Sequence, residues 1–144
     1  GSAQGEVSGN TCRNNGYDGI FAGNRSRLVA RNNTCEGNQD SGISLFVFAQ
    51  GEVEGNTCRN NGSEGIAASG RTRLVARNNT CEGNRFSGIV LSGSAQGELK
   101  LNKSANNRSY GIYISPRAVS VSYEGNILYG NGEGDIYDAR RSSK

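Results

Sequence analysis

The sequence predicts an all-β solenoid of about six coils, and three observations predict it. Asn-Thr-Cys recurs at Asn10-Thr11-Cys12, Asn33-Thr34-Cys35, Asn56-Thr57-Cys58 and Asn79-Thr80-Cys81, each copy 23 residues after the last. Gly-Ile keeps the same period at Gly19-Ile20, Gly42-Ile43, Gly65-Ile66, Gly88-Ile89 and Gly111-Ile112, and Asp135-Ile136 closes the series. Between these markers lie only short stretches such as Glu52-Val53-Glu54 and Gly65-Ile66-Ala67-Ala68, broken by Gly or Asn. No segment is apolar and long enough for a helix, so strands of about five residues joined by tight turns follow. A strand-only repeat of this length forms one coil per unit, with stacked coils about 4.8 Å apart. A leucine-rich repeat has a similar period, but its Leu positions are missing here.

Composition sets the outer bounds. The 144 residues include 22 Gly and one Pro, and only 33% are hydrophobic. So polar a chain suggests disorder, yet a disordered chain has no need of strict periodicity in Ile, Cys and Asn. A repeat array needs no central globular core, because each unit buries its apolar face against its neighbours. Residues 1–144 are therefore expected to form a single domain, part of a larger protein. The net charge of +3 excludes neither an acidic partner nor the lack of one. There is no apolar run of the ~18 residues a membrane helix needs, and no signal-peptide pattern. Neither a membrane nor a nucleic-acid partner is expected, and the compartment stays open.

Taken in order, the chain opens on the tail of an incomplete coil, since Ala3-Gln4-Gly5-Glu6-Val7 recurs as Ala49 to Val53 and Ala95 to Leu99. Those copies lie 46 residues apart, so adjacent coils alternate between two types; Arg27 to Cys35 and its twin Arg73 to Cys81 repeat the pattern. Units begin at Asn10, Asn33, Asn56, Asn79, Asn102 and Asn126, one column of asparagines, and Asn15, Asn38, Asn61, Asn84, Asn107 and Asn131 form another. A side-chain amide both donates and accepts, so each column should hydrogen-bond along its own length. Just before the second column run Asn14, Gly37, Asn60, Gly83, Asn106 and Gly130, the residue types that best accept positive φ. The main apolar column is Ile20, Ile43, Ile66, Ile89, Ile112 and Ile136. Two residues on, Ala22, Leu45, Ala68 and Leu91 alternate small with large, and Leu28, Gly51, Leu74 and Gly97 alternate against Ala30, Val53, Ala76 and Leu99. Volume is thereby conserved from coil to coil, which argues for a filled interior and against an internal channel.

These columns resemble the right-handed parallel β-helix repeat family of the pectate-lyase-like superfamily, in which apolar positions, Asn-x-apolar and Gly-Ile recur about once per coil. The resemblance spans essentially the whole chain and implies a right-handed parallel β-helix, the hand that parallel crossovers favour in general. It says little about activity, because the superfamily holds polysaccharide lyases, glycoside hydrolases, epimerases, phage tailspikes and modules of unknown role.

Three sets of residues are candidates for chemistry. Cys12, Cys35, Cys58 and Cys81 sit one per coil in a chain without His, so neither a zinc site nor another cofactor is expected. Coil spacing would permit disulfides, but Ser104 and Leu128 share the column, which favours reduced, inward-facing thiols. Among the carboxylates, columns such as Arg13, Glu36, Arg59, Glu82 describe surface ion-pair ladders. Asp18 and Glu64 share a column two coils apart, a separation that suits inverting hydrolysis, yet no unique catalytic cluster stands out. The third set is the most informative. Phe46-Val47-Phe48 places bulky apolar groups where other coils have Gly23-Asn24-Arg25, Ser69-Gly70-Arg71 and Ser92-Gly93-Ser94. Arg25 and Arg71 share the column of Phe48, with Arg27 and Arg73 two residues on. This basic and aromatic stripe is the expected binding surface, for polysaccharide or protein, with Glu52 and Glu98 close enough in sequence to neutralise much of it. Tyr110, Tyr113, Tyr123, Tyr129 and Tyr137 are expected to cluster as a cap on the last coil. The reading that results is a non-catalytic β-helix scaffold or binding module. A fragment of a carbohydrate-active enzyme, and an element that self-associates by end-to-end coil stacking into a homo-oligomer, stand as alternatives.

Overall fold

A computed structural model describes residues 3–140. Each coil contributes three short strands. In chain order they are β1 (Gln4–Ser8), β2 (Thr11–Arg13), β3 (Ile20–Gly23); β4 (Arg27–Arg31), β5 (Thr34–Glu36), β6 (Ile43–Phe46); β7 (Gln50–Glu54), β8 (Thr57–Arg59), β9 (Ile66–Ser69); β10 (Arg73–Arg77), β11 (Thr80–Glu82), β12 (Ile89–Leu91); β13 (Gln96–Lys100), β14 (Lys103–Ala105), β15 (Tyr110–Ile114); and β16 (Val121–Glu124), β17 (Ile127–Tyr129), β18 (Gly134–Asp138). Strands stack in parallel into three six-stranded sheets: β1-β4-β7-β10-β13-β16, β2-β5-β8-β11-β14-β17 and β3-β6-β9-β12-β15-β18. The sequence period is the register itself, as Cys12, Cys35, Cys58 and Cys81 pair successively down the second sheet.

The two asparagine columns close two of the three corners. Asn56 shows the pattern: its backbone N–H and its Nδ2 both donate to Asn79 Oδ1, at 2.9 and 3.0 Å, and Nδ2 also donates to Ala30 O at 3.0 Å. Its own Oδ1 accepts the same pair from Asn33. In the second ladder Asn61 does likewise between Asn38 and Asn84, and its Nδ2 reaches Cys35 O at 3.1 Å. The inner amides, from Asn33 to Asn102 and from Asn38 to Asn107, are buried and bonded, which removes the cost of desolvating them.

Positive φ falls where the alternating Asn and Gly column requires it, at Asn14, Gly37, Asn60, Gly83, Asn106 and Gly130. A second such column precedes the first ladder, at Gly9, Asn32, Gly55, Asn78, Leu101 and Gly125. The alternation has a steric cause: a Cβ on Gly37 would stand 2.6 Å from Asn14 Oδ1 of the coil before, so an asparagine on one coil calls for glycine on the next. The Gly-Ile glycines answer to a different constraint. A Cβ on Gly42 would come within 2.9 Å of Cys58 Cβ and 2.7 Å of Gly65 O, so this corner closes only around a bare backbone.

The interior is filled. Ile43, Leu45, Ile66, Leu74, Ile89, Leu91, Leu99, Ile112 and Ile114 are fully buried, and volume is exchanged between sheets as well as between the neighbouring columns of one strand that the sequence points to. A Cβ on Gly97 would lie 3.2 Å from Leu91 Cδ1, so the leucine on the third sheet occupies the space its partner on the first leaves open. Cys35, Cys58 and Cys81 are free thiols within this core, and Cys12 is half-buried at its edge. A hydrogen bond to Cys58, followed by burial, pushes the Cys35 thiol far above its ordinary range. Where the column changes to Ser104, the hydroxyl donates to Gly111 O at 2.8 Å and accepts from Asn107 Nδ2 at 3.1 Å.

The last coil differs from the tyrosine cluster the sequence suggests. Tyr110, Tyr113 and Tyr137 do pack together, with ring centroids 5.3 to 6.3 Å apart. Tyr129 instead faces Lys103, whose Nζ lies 5.7 Å from the ring centroid, and Tyr123 donates to Asp138 Oδ2 at 3.2 Å. Asp138 also accepts a two-pronged grip from Arg140, at 2.9 and 2.8 Å, which holds its carboxyl below the usual range. Ile136 keeps its register with Ile112 but is exposed, because no described coil lies beyond it.

Candidate binding cleft at the third corner

The third corner, where each coil passes from the third sheet back to the first, has no asparagine ladder. Its turns run through Asn24, Val47, Gly70 and Gly93, all at positive φ. Val47, at φ 67°, is β-branched in a conformation that such residues avoid, and it leads directly into Phe48. Strain of this kind persists where the surrounding structure imposes it, and functional sites are where it collects.

Beside these turns opens a cleft of about 570 Å³, lined by Ala3, Gln4, Arg25, Ser26, Arg27, Phe48, Gln50, Arg71, Thr72, Arg73 and Gln96. Strand register spaces its groups: Gln4, Arg27, Gln50, Arg73 and Gln96 are successive neighbours across the first sheet. Arg27 Nη2 donates to Gln50 Oε1 at 3.4 Å, and the Arg25 guanidinium lies 5.6 Å from the Phe48 ring centroid. Phe48 thus holds one guanidinium against its face while its other atoms remain open to solvent.

The charge balance departs from the sequence expectation. Glu52 and Glu98 form their ion pairs elsewhere: Glu52 approaches Arg31 at 4.0 Å and Glu98 pairs with Arg77 at 3.6 Å, while Glu52 shares a smaller neighbouring groove with Arg27 and Arg73. Their side chains point along the first sheet towards arginines at the far strand ends, where Arg31 also meets Glu6 and Glu54. Among the described residues Arg25, Arg27, Arg71 and Arg73 form no ion pair, and no carboxylate lines the cleft. The four arginines named from the sequence therefore converge.

The three apolar residues named with them separate. Phe48 lines the cleft, Val47 forms the turn, and Phe46 lies on the outer face of the third sheet, 48% exposed. Phe46 follows from alternation along β6, which turns Leu45 inward and Phe46 outward. Sequence reasoning overlooked Gln4, Gln50 and Gln96, although they share one column with Arg27 and Arg73 and so were open to detection. It also overlooked Thr72, whose buried hydroxyl lacks a hydrogen-bond partner in a column that otherwise holds Ser26, Ala49, Ala95 and Ala118.

Two other features weigh less. A broader groove of about 830 Å³ follows the second ladder, but its asparagine amides Asn38, Asn61 and Asn84 already have their partners. Asp18 and Glu64 are joined through Ser41, whose N–H donates to Asp18 at 2.9 Å and whose hydroxyl donates to Glu64 at 3.3 Å. Burial raises both carboxyls above their usual range. Among the described residues no group of three or more His, Cys, Asp or Glu is placed to hold a metal.

A family described as "Right handed beta helix region" matches residues 1–144, and the chain belongs to that family. The class is thus a parallel β-solenoid built on a repeat of about 23 residues. No curated protein matches the chain.

Proposed function

We propose that this chain is a non-catalytic β-helix binding module whose third-corner cleft takes a linear acidic ligand, polysaccharide or protein. One observation carries the reading: four arginines on two coils line one cleft without a carboxylate partner. An arginine fork matches a carboxylate in plane and spacing, and unpaired cations gathered in a groove raise the local concentration of anions. Phe48 supplies an apolar surface between the two pairs of arginines, so a ligand seated there buries carbon as well as charge. The ladders and filled core support the cleft as rigid scaffolding.

A panel of soluble polyanions, polyglutamate and polygalacturonate among them, tests this by titration over a salt series. Binding should weaken as salt rises, because exposed charges are screened. It should be lost when Arg25, Arg27, Arg71 and Arg73 are all changed to Gln, with the melting curve unchanged. Absence of salt-sensitive binding to every polyanion, or equal binding by the quadruple variant, would sink the proposal.

A further inference from the structure

We infer that the ligand of this cleft is an acidic peptide segment in the polyproline II conformation, with a carboxylate at every third residue. The inference rests on the acidic-ligand reading above and specifies its chemistry.

The first argument is spacing. The 46-residue alternation puts Arg27 and Arg73 two coils apart in one column, with the neutral Gln50 between them. Arg25 and Arg71 are likewise two coils apart, with Phe48 between. Strands in a sheet lie about 4.8 Å apart, so the two cations of each column stand about 9.6 Å apart along the cleft. A polyproline II chain has three residues per turn and rises about 3.1 Å per residue, returning a side chain to one face about every 9.3 Å. An extended β-strand advances about 3.3 Å per residue and alternates faces, so its same-face carboxylates recur about every 6.6 Å and fall out of step.

The second argument is the balance of donors and acceptors. The cleft offers four guanidiniums, which only donate, and the amides of Gln4, Gln50 and Gln96. Its acceptors are few, and Gln50 Oε1 already serves Arg27. A complementary ligand is rich in acceptors and poor in donors. A polyproline II segment has no internal hydrogen bonds, so its carbonyls are free to accept, and its prolines have no N–H. An α-helix uses its carbonyls internally and leaves the glutamine amides without partners. A glycan brings hydroxyl donors along with its carboxylates, and this cleft offers few side-chain acceptors for them.

The third argument is the aromatic group. Phe48 stands on the coil between the two pairs of arginines, so it faces the residues that separate successive carboxylates. Proline rings docking on aromatic side chains are an established mode of recognising this helix.

The test is fluorescence anisotropy with a labelled peptide of repeated Glu-Pro-Pro, compared with an isomer of the same composition whose glutamates are contiguous. The periodic peptide should bind about tenfold or more tightly than its isomer. Changing Arg27 and Arg73 to Gln should erase that preference, and Phe48→Ser should weaken the periodic peptide alone. Equal affinity for the two isomers, or tighter binding of hyaluronate oligosaccharides than of the periodic peptide, overturns the inference while leaving an acid-binding cleft in place. Failure of every acidic probe overturns both.

Discussion

Two corners of this solenoid are closed by buried amides, and the third is open. At the closed corners each asparagine occupies a site set by its neighbours above and below, so every coil needs the same residue. The open corner carries no such chain of bonds; Asn24, Val47, Gly70 and Gly93 succeed one another there, and the cleft forms beside them. Side-chain ladders thus remove freedom to vary, and the cleft opens at the corner where only backbone bonds, such as Gln50 N–H to Ser26 O at 2.9 Å, join one coil to the next.

The sharpest way to break this contrast is to remove one amide from the middle of a ladder. Asn61→Ala should cost about 3 kcal/mol or more, since it strands the Asn38 donors and Cys35 O in the interior at about 1–3 kcal/mol each. Urea unfolding measures it, and a loss under 1 kcal/mol would mean that the ladder relaxes around the gap.

At the open corner the sign should reverse. Thr72→Ala removes a buried hydroxyl without a partner, from a column that accepts alanine elsewhere. Stability should hold or rise by up to about 1 kcal/mol, set by the cost of an unsatisfied group. A drop of similar size would reveal a bond to that hydroxyl. Val47→Gly should also stabilise, by about 0.5–1 kcal/mol, because relief of the left-handed conformation outweighs the added freedom of glycine when unfolded. Thermal unfolding reads the change, and the same variant should bind acidic peptides more weakly if Val47 sets the position of Phe48.

The smallest effect concerns Glu64, beside the second ladder. Burial raises its carboxyl in the folded state, so folding favours the protonated form. Its contribution is fully present below the unfolded-state value and is lost as pH rises through the folded-state value. Glu64→Gln should therefore gain on the parent at neutral pH, and the gap should narrow on acidification towards pH ~4. A gap independent of pH would assign the effect to packing.

Much of the fold was legible because parallel coils convert sequence distance into vertical contact. Once Asn33 and Asn56 are seen to share a period, their hydrogen bond follows from strand spacing. The positive-φ column at Asn14 and Gly37 was equally legible; the parallel column at Asn32 and Gly55 was overlooked, though it obeys the same rule. The candidate cleft was half legible. Arg25, Arg27, Arg71 and Arg73 share columns that lead into the cleft, whereas Phe46, which stands out by column against Gly23 and Ser69, is turned away from Phe48 by strand alternation.

The amino-acid sequence by itself determined the coil length, the register, the ladders and the alternation of large and small side chains, because each depends on what lies directly above or below. Tertiary structure alone decided which charges cancel and which remain open. Glu52 and Glu98 turn to Arg31 and Arg77 rather than to the arginines at the corner, a choice made by side-chain direction and reach. Vertical neighbours are fixed by a repeat, while lateral partners are selected among several within reach.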